Sequence, residues 1–210
     1  MKLSATVVVL LSLFLVSPLA RGEDAESAPA VVTRSTFQLL PNPKFLTCLS
    51  ATNGTPTAKV TVVQGKLNDT LTLSLSHVKP NLGFDLFTIQ RTNLLSNGTV
   101  DPSFTNFGLA WYQSDVQADK KGNASVKIQT ILVDQIFGFD PDVSLAPTNT
   151  FHVGIWFNNP ADATACGFSG TTPFNGDHNA GPNAMISVPG ASGLGPLCLN
   201  PSSTPGVCGP

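Results

Sequence analysis

From Thr70 to Val78 the leucines at Leu71, Leu73 and Leu75 alternate with Thr72, Ser74 and Ser76. Side chains two apart share one face of a strand, whereas apolar positions on a helix recur at three and four, so this segment reads as a strand with one dry and one wet face. The stretch Thr150 to Phe157 alternates in the same way. It sets Phe151, Val153, Ile155 and Phe157 against His152, Gly154 and Trp156. Further β-branched or aromatic runs are predicted as strands at Thr36–Leu40, Phe45–Leu49, Lys59–Gln64, Phe84–Gln90, Phe107–Asp115, Ser125–Val133 and Met185–Val188. Between them stand residues that preset turns or accept positive φ: Asn53-Gly54, Pro80-Asn81-Leu82-Gly83, Asn97-Gly98 and Lys121-Gly122-Asn123. Helical spacing is confined to Val133–Phe139, a short helix at most. The expected fold is all-β: a single-domain antiparallel β-sandwich over residues 35–190, with a long loop-rich C-terminal segment that a disulfide pins down.

The N-terminal residues carry a different signal. Lys2, the apolar run Ala5–Val16, and then Ser17, Pro18 and Ala20 have the three-part layout of a secretory leader. Small residues at Ala20 and Gly22 place the expected cleavage after residue 22, with Glu23 as the mature start and a loose arm over residues 23–34. A spanning helix needs about 20 consecutive apolar residues, and this run is too short to be one. The end, Pro201–Pro210, lacks the hydrophobic tail of a lipid-anchor signal, so no membrane span is expected in the mature chain; residues 191–210 read as a C-terminal tail.

Charge argues against a nucleic-acid partner. The 11 basic and 13 acidic residues of this 210-residue chain nearly cancel, and Lys and Arg form no cluster. Both glutamates, Glu23 and Glu26, stand in the arm, so carboxylate chemistry in the folded body must use Asp. An even set of cysteines in an exported chain favours bridges: Cys48 with Cys166, joining an early element to a late loop, and Cys198 with Cys208, closing the tail. Three connectivities are open to four cysteines, and spacing alone does not choose among them. Asn53, Asn68, Asn97 and Asn123 each begin an Asn-x-Ser/Thr acceptor in a predicted turn, where a glycan would stay in water.

Residues able to carry chemistry are few. His77 continues the Leu71, Leu73, Leu75 face and is expected to cap the core at its rim. His152 and Trp156 share a strand face; if that face is open they form, with Trp111 and Tyr112, an aromatic ligand platform, and if β-strand neighbours cover both faces they are core. The pair Asp177-His178 lies in an Asn- and Gly-rich loop and, with His152, is the candidate metal set; an Asx-bonded turn is the plainer reading. Asp134, Asp140 and Asp142 offer oxygens to a hard cation but without a calcium-loop pattern. No nucleophile elbow, phosphate loop or dinucleotide fingerprint is present, no catalytic residue is assigned, and no cofactor is implied.

Three functions are expected in order. The first is a secreted, non-enzymatic surface, matrix or interaction module whose partner, an extracellular glycan or protein, the sequence leaves unknown. The second is a carbohydrate- or small-ligand-binding module using exposed aromatics. The third is a hydrolase or metalloenzyme using Asp and His.

Overall fold

The computed structural model describes residues 34–130, 152–172, 179–198 and 208. The expected leader and arm up to residue 33, the helix at Val133–Phe139, the acidic group Asp134, Asp140 and Asp142, the pair Asp177-His178 and most of the tail lie outside the described residues.

The expected all-β, antiparallel architecture is present. Among the described residues eight strands form one sheet: β1 (Arg34–Pro41), β2 (Thr57–Val63), β3 (Asp69–Ser76), β4 (Gly83–Ile89), β5 (Ala110–Gln117), β6 (Ala124–Thr130), β7 (His152–Phe157) and β8 (Asn183–Ser187). Their order is β5-β4-β7-β8-β1-β2-β3-β6, antiparallel at every pairing. The end strands β5 and β6 approach each other, so the sheet curls over a shared interior. Alternation fills that interior: Val60 and Val62 of β2, Leu71 and Leu73 of β3, Phe84 and Leu86 of β4, and Val153, Ile155 and Phe157 of β7 are buried in one cluster. Turn chemistry is as the sequence implies. Asn81 has φ 62° and Gly98 and Gly122 have φ 82° and 77°. At Gly122 a Cβ would also run into the Val78 carbonyl oxygen, so the β5–β6 turn admits no other residue without backbone movement.

Two expectations are corrected. Phe45–Leu49 is not a strand: Pro43–Phe45 forms a 3₁₀ turn and Leu46–Leu49 a one-turn helix, α1. Asn42 caps the turn by accepting the Lys44 N–H at 3.1 Å, Pro43 presets its φ, and Phe45, Cys48 and Leu49 then fall on one buried face at helical spacing. His77 does not cap the core. It sits at φ 60°, in the left-handed region, which breaks the β3 alternation and leaves His77 exposed while Val78 takes the buried place. Smaller shifts occur elsewhere. β5 begins at Ala110 rather than Phe107, because Asn106 Oδ1 accepts the Gly108 N–H at 3.0 Å and Gly108, at φ 70°, turns the chain before the ladder starts.

A second apolar layer lies on the opposite side of β4, β7 and β8. Ile89, Trp156 and Ile186 are buried there beneath Leu94 and Ala180, with Phe87 and Phe107 packed against them. The cover is the β4–β5 connection, residues 90–109. It is held down by Thr92, whose hydroxyl donates to the Ser187 carbonyl at 2.8 Å, and by Gln90 and Arg91, whose N–H groups donate to the Leu109 and Phe107 carbonyls at 2.7 and 2.9 Å. Covered on both faces, β7 is buried along its whole length, the core reading of His152 and Trp156.

The cysteines pair Cys48 with Cys166 and Cys198 with Cys208, and no cysteine is free. Among the described residues no helix is long and apolar enough to cross a membrane.

Candidate functional site

The β4–β5 connection does more than cover β7: it leaves a cleft of ≈ 520 Å³ against it, walled by Phe87, Phe104, Phe107 and Trp156 and rimmed by Thr105, Asn106 and Thr172. The rings contact in series. Tyr112 and Phe87 have centroids 5.8 Å apart, Phe87 and Trp156 5.3 Å, Trp156 and Phe107 5.2 Å, and Phe107 and Phe104 4.7 Å. Three of the four contacts are edge-to-face, with interplanar angles of 72–76°, the arrangement the ring quadrupoles favour. Each ring therefore braces the next. Trp156 is positioned by β7, Phe87 by β4 just past a bulge between Leu86 and Phe87, and Tyr112 opposite Phe87 by β5. Phe104 and Phe107 come from the loop, which is itself tied down: Asn106 Oδ1 accepts from Arg91 Nη1 at 2.9 Å, and Gln90 Oε1 accepts the Leu109 N–H at 3.0 Å. A cleft held this way loses little order when something enters it.

The expected platform residues are divided by this geometry. Tyr112, 41 % exposed, and Trp156, 6 % exposed, lie on the outer side of the sheet with Phe87 between them. Trp111 is the neighbouring residue on β5, opposite Thr88 rather than Phe87. It is 37 % exposed. His152 is on the Trp156 side of β7 but at the far end, 3 % exposed. Its Nδ1 lies 3.1 Å from Ser187 Oγ, and burial pushes its pKa down to about 4 against a smaller opposing contribution from the Ser187 backbone. Its proposed metal partners Asp177 and His178 lie outside the described residues, and among those residues no group of three His, Cys, Asp or Glu side chains is placed to hold a metal ion.

Phe87, Phe104 and Phe107 were not singled out by the sequence reading. The available signal was that Phe84–Ile89 is apolar on both faces, which requires a cover, and that no short turn separates this strand from the next. The four Asn acceptors are all exposed, at turns or strand ends. At Asn97 the side-chain oxygen accepts from both the N–H and the hydroxyl of Thr99, at 3.0 and 2.7 Å.

No family model matches the chain, and neither a curated protein nor a solved structure matches it. Function must therefore be argued from the site itself.

Proposed function

We propose that this is a secreted, disulfide-stapled, non-enzymatic β module that binds a small, largely apolar ligand in the aromatic cleft. The observation that carries the binding role is the ring series Tyr112–Phe87–Trp156–Phe107–Phe104 around a preformed ≈ 520 Å³ cleft with a narrow polar rim. A flat glycan platform needs a ring face open to solvent, and Trp156 is too enclosed to offer one. A cleft between ring edges suits an apolar body with one or two polar groups. The exported location rests on the leader-like residues 1–22, and the two disulfides fit it.

Binding is tested with the fluorescent apolar probe N-phenyl-1-naphthylamine. Saturable uptake by the folded protein is expected, weakened about tenfold, or about 1.4 kcal/mol, by Phe107→Ala. Phe107 stands on the covering loop, so its truncation leaves the sheet in place. Uptake that never saturates, or that Phe107→Ala leaves unchanged, overturns the reading. Export is tested by expression in a eukaryotic secretory host. The product is expected in the medium beginning at Glu23, and deglycosylation is expected to lower its mass. Product retained in the cells with its first residues intact refutes the exported role.

A further inference from the structure

The outer face of the sheet is divided. Over β4, β7 and β8 it is covered by residues 90–109, whereas over β1, β2, β3 and β6 it lies open among the described residues, with Arg34, Thr36, Gln38, Lys59, Ser74 and Lys127 all exposed. The alternation that turns Val60, Val62, Leu71 and Leu73 inward turns their neighbours outward. Register then arranges those neighbours in rows across the strands. The middle row runs Thr36, Thr61, Thr72, Lys127; Lys59 stands in the row on one side of it and Arg34 in the row on the other. Across the three rows every outward residue except Val63 is polar, and none is acidic.

Arg34, Lys59 and Lys127 flank a shallow groove of ≈ 440 Å³ on this face, whose floor is Thr61, Thr70, Thr72 and Ser74. Three different strands supply the three cations, and their wide separation in sequence hides the cluster from a reading along the chain. Among the described residues none of the three makes an ion pair or a side-chain hydrogen bond. An excess of base does not account for them, because the chain as a whole carries a net charge of −2. The hydroxyls keep capacity to spare as well. Thr36 and Thr61 bond to each other at 3.2 Å, and a hydroxyl that has used one bond can still donate or accept another.

We infer that this open half of the sheet binds a sulfated polysaccharide, its anionic groups received by Arg34, Lys59 and Lys127 and its sugar hydroxyls by the Thr and Ser floor. At about 3.3 Å per residue and about 4.8 Å between strands, the register sets the three Cα atoms about 12–16 Å apart. That spacing suits charges repeated along a chain better than one small anion. Hydroxyls that both donate and accept match the hydroxyls of sugars. Nucleic acid fits less well, because the outward rows hold no aromatic ring on which a base could stack. An acidic peptide would find no apolar pocket for its side chains. That the polyanion is a glycan also draws on the exported location proposed above, which the measurement below does not use.

The test is titration calorimetry of the full chain with heparin over a range of salt concentrations. Saturable binding is expected. Each cation that pairs with the polymer releases condensed counterions, so the logarithm of the affinity should fall linearly with that of the salt, with a slope of about two to three. Combining Arg34→Gln, Lys59→Gln and Lys127→Gln should weaken binding about tenfold and flatten the slope. All three residues are exposed, so the fold is kept, and unchanged circular dichroism and probe uptake by the aromatic cleft check this. The control is Lys120→Gln with Lys121→Gln, which removes two cations from a separate pocket beside His77 and Lys79 and should leave the affinity unchanged. The inference fails if heparin does not bind, or if the control weakens binding as much as the triple variant. It fails equally if polyglutamate or single-stranded DNA binds as tightly as heparin, since the face would then read charge alone.

Discussion

Replacing Cys48 and Cys166 together by alanine is expected to lower the free energy of unfolding by about 5 kcal/mol, enough to remove most of the stability of an ordinary domain. The bridge joins α1 to the 3₁₀ turn Pro160–Cys166 across a sequence separation of 118. Cross-linking withdraws loop-closure entropy from the unfolded chain, and that entropy grows with the logarithm of the loop. Cys198 and Cys208 are 10 apart, so the same relation gives their paired alanine variant a smaller cost, about 3 kcal/mol. The gap of about 2 kcal/mol between the two variants is therefore the informative quantity. Burial does not separate the two, because each bridge has one buried sulfur, Cys48 in one and Cys208 in the other. Urea unfolding of both variants and of the parent, followed by circular dichroism, measures the gap. Equal losses would mean that the long loop is already constrained in the unfolded chain and that chain entropy is not what the bridge supplies.

How far the sequence led depends on whether a feature is local. β3 was legible because Leu71, Leu73 and Leu75 are selected by one buried face, and the observed strand buries those three, leaving Thr72 and Ser76 half-buried and Ser74 exposed. The turn at Gly122 was legible for a similar reason: its backbone shape is written into the residue. His77 misled because extrapolating the alternation by one step assumes extended backbone, and a left-handed residue inverts the face from that point on. Phe45–Leu49 misled because apolar, β-branched composition serves a buried helical turn equally well; Asn42-Pro43 was the cue that decided it. The pairing of His152 with Trp156 on one side of β7 followed from period two, but whether that side was open depended on residues 90–109 folding back over it. That is a tertiary event, and with it came the cleft. Trp111 and Tyr112 show the same limit in miniature: neighbours in sequence, they must part to opposite sides of β5, and only the register shows that Tyr112 is the one set against Phe87.

The stability of the protein is expected to fall as pH drops from 7 toward 4, with His152 as a principal cause. In the folded state burial holds the ring's pKa at about 4, whereas in the unfolded chain it returns to an ordinary value near 6.5. Between those values the unfolded chain takes up a proton that the native protein refuses, so unfolding is favoured by acid; the effect is absent above pH ~7 and complete below pH ~4. The full difference is on the order of 3 kcal/mol. Carboxylates complicate the lower end of this window. Asp101 and Asp119 are held below their usual range by Ser103 and by the Asn123 and Lys121 N–H groups, and so also lose stabilising influence in acid, whereas burial raises Asp162 and makes it act in the opposite sense. Between pH 5 and 6.5 unfolded carboxylates stay largely ionised, and the slope there belongs chiefly to the imidazole. The clean measurement is the difference between the parent and His152→Gln in urea unfolding free energy across pH 4–7, in which the carboxylates common to both cancel. Glutamine keeps a hydrogen-bonding end for Ser187 but cannot titrate, so the parent should lose stability relative to the variant steadily as pH falls. A difference that stays flat through that range would mean that the His152 ring opens to water and charges without unfolding.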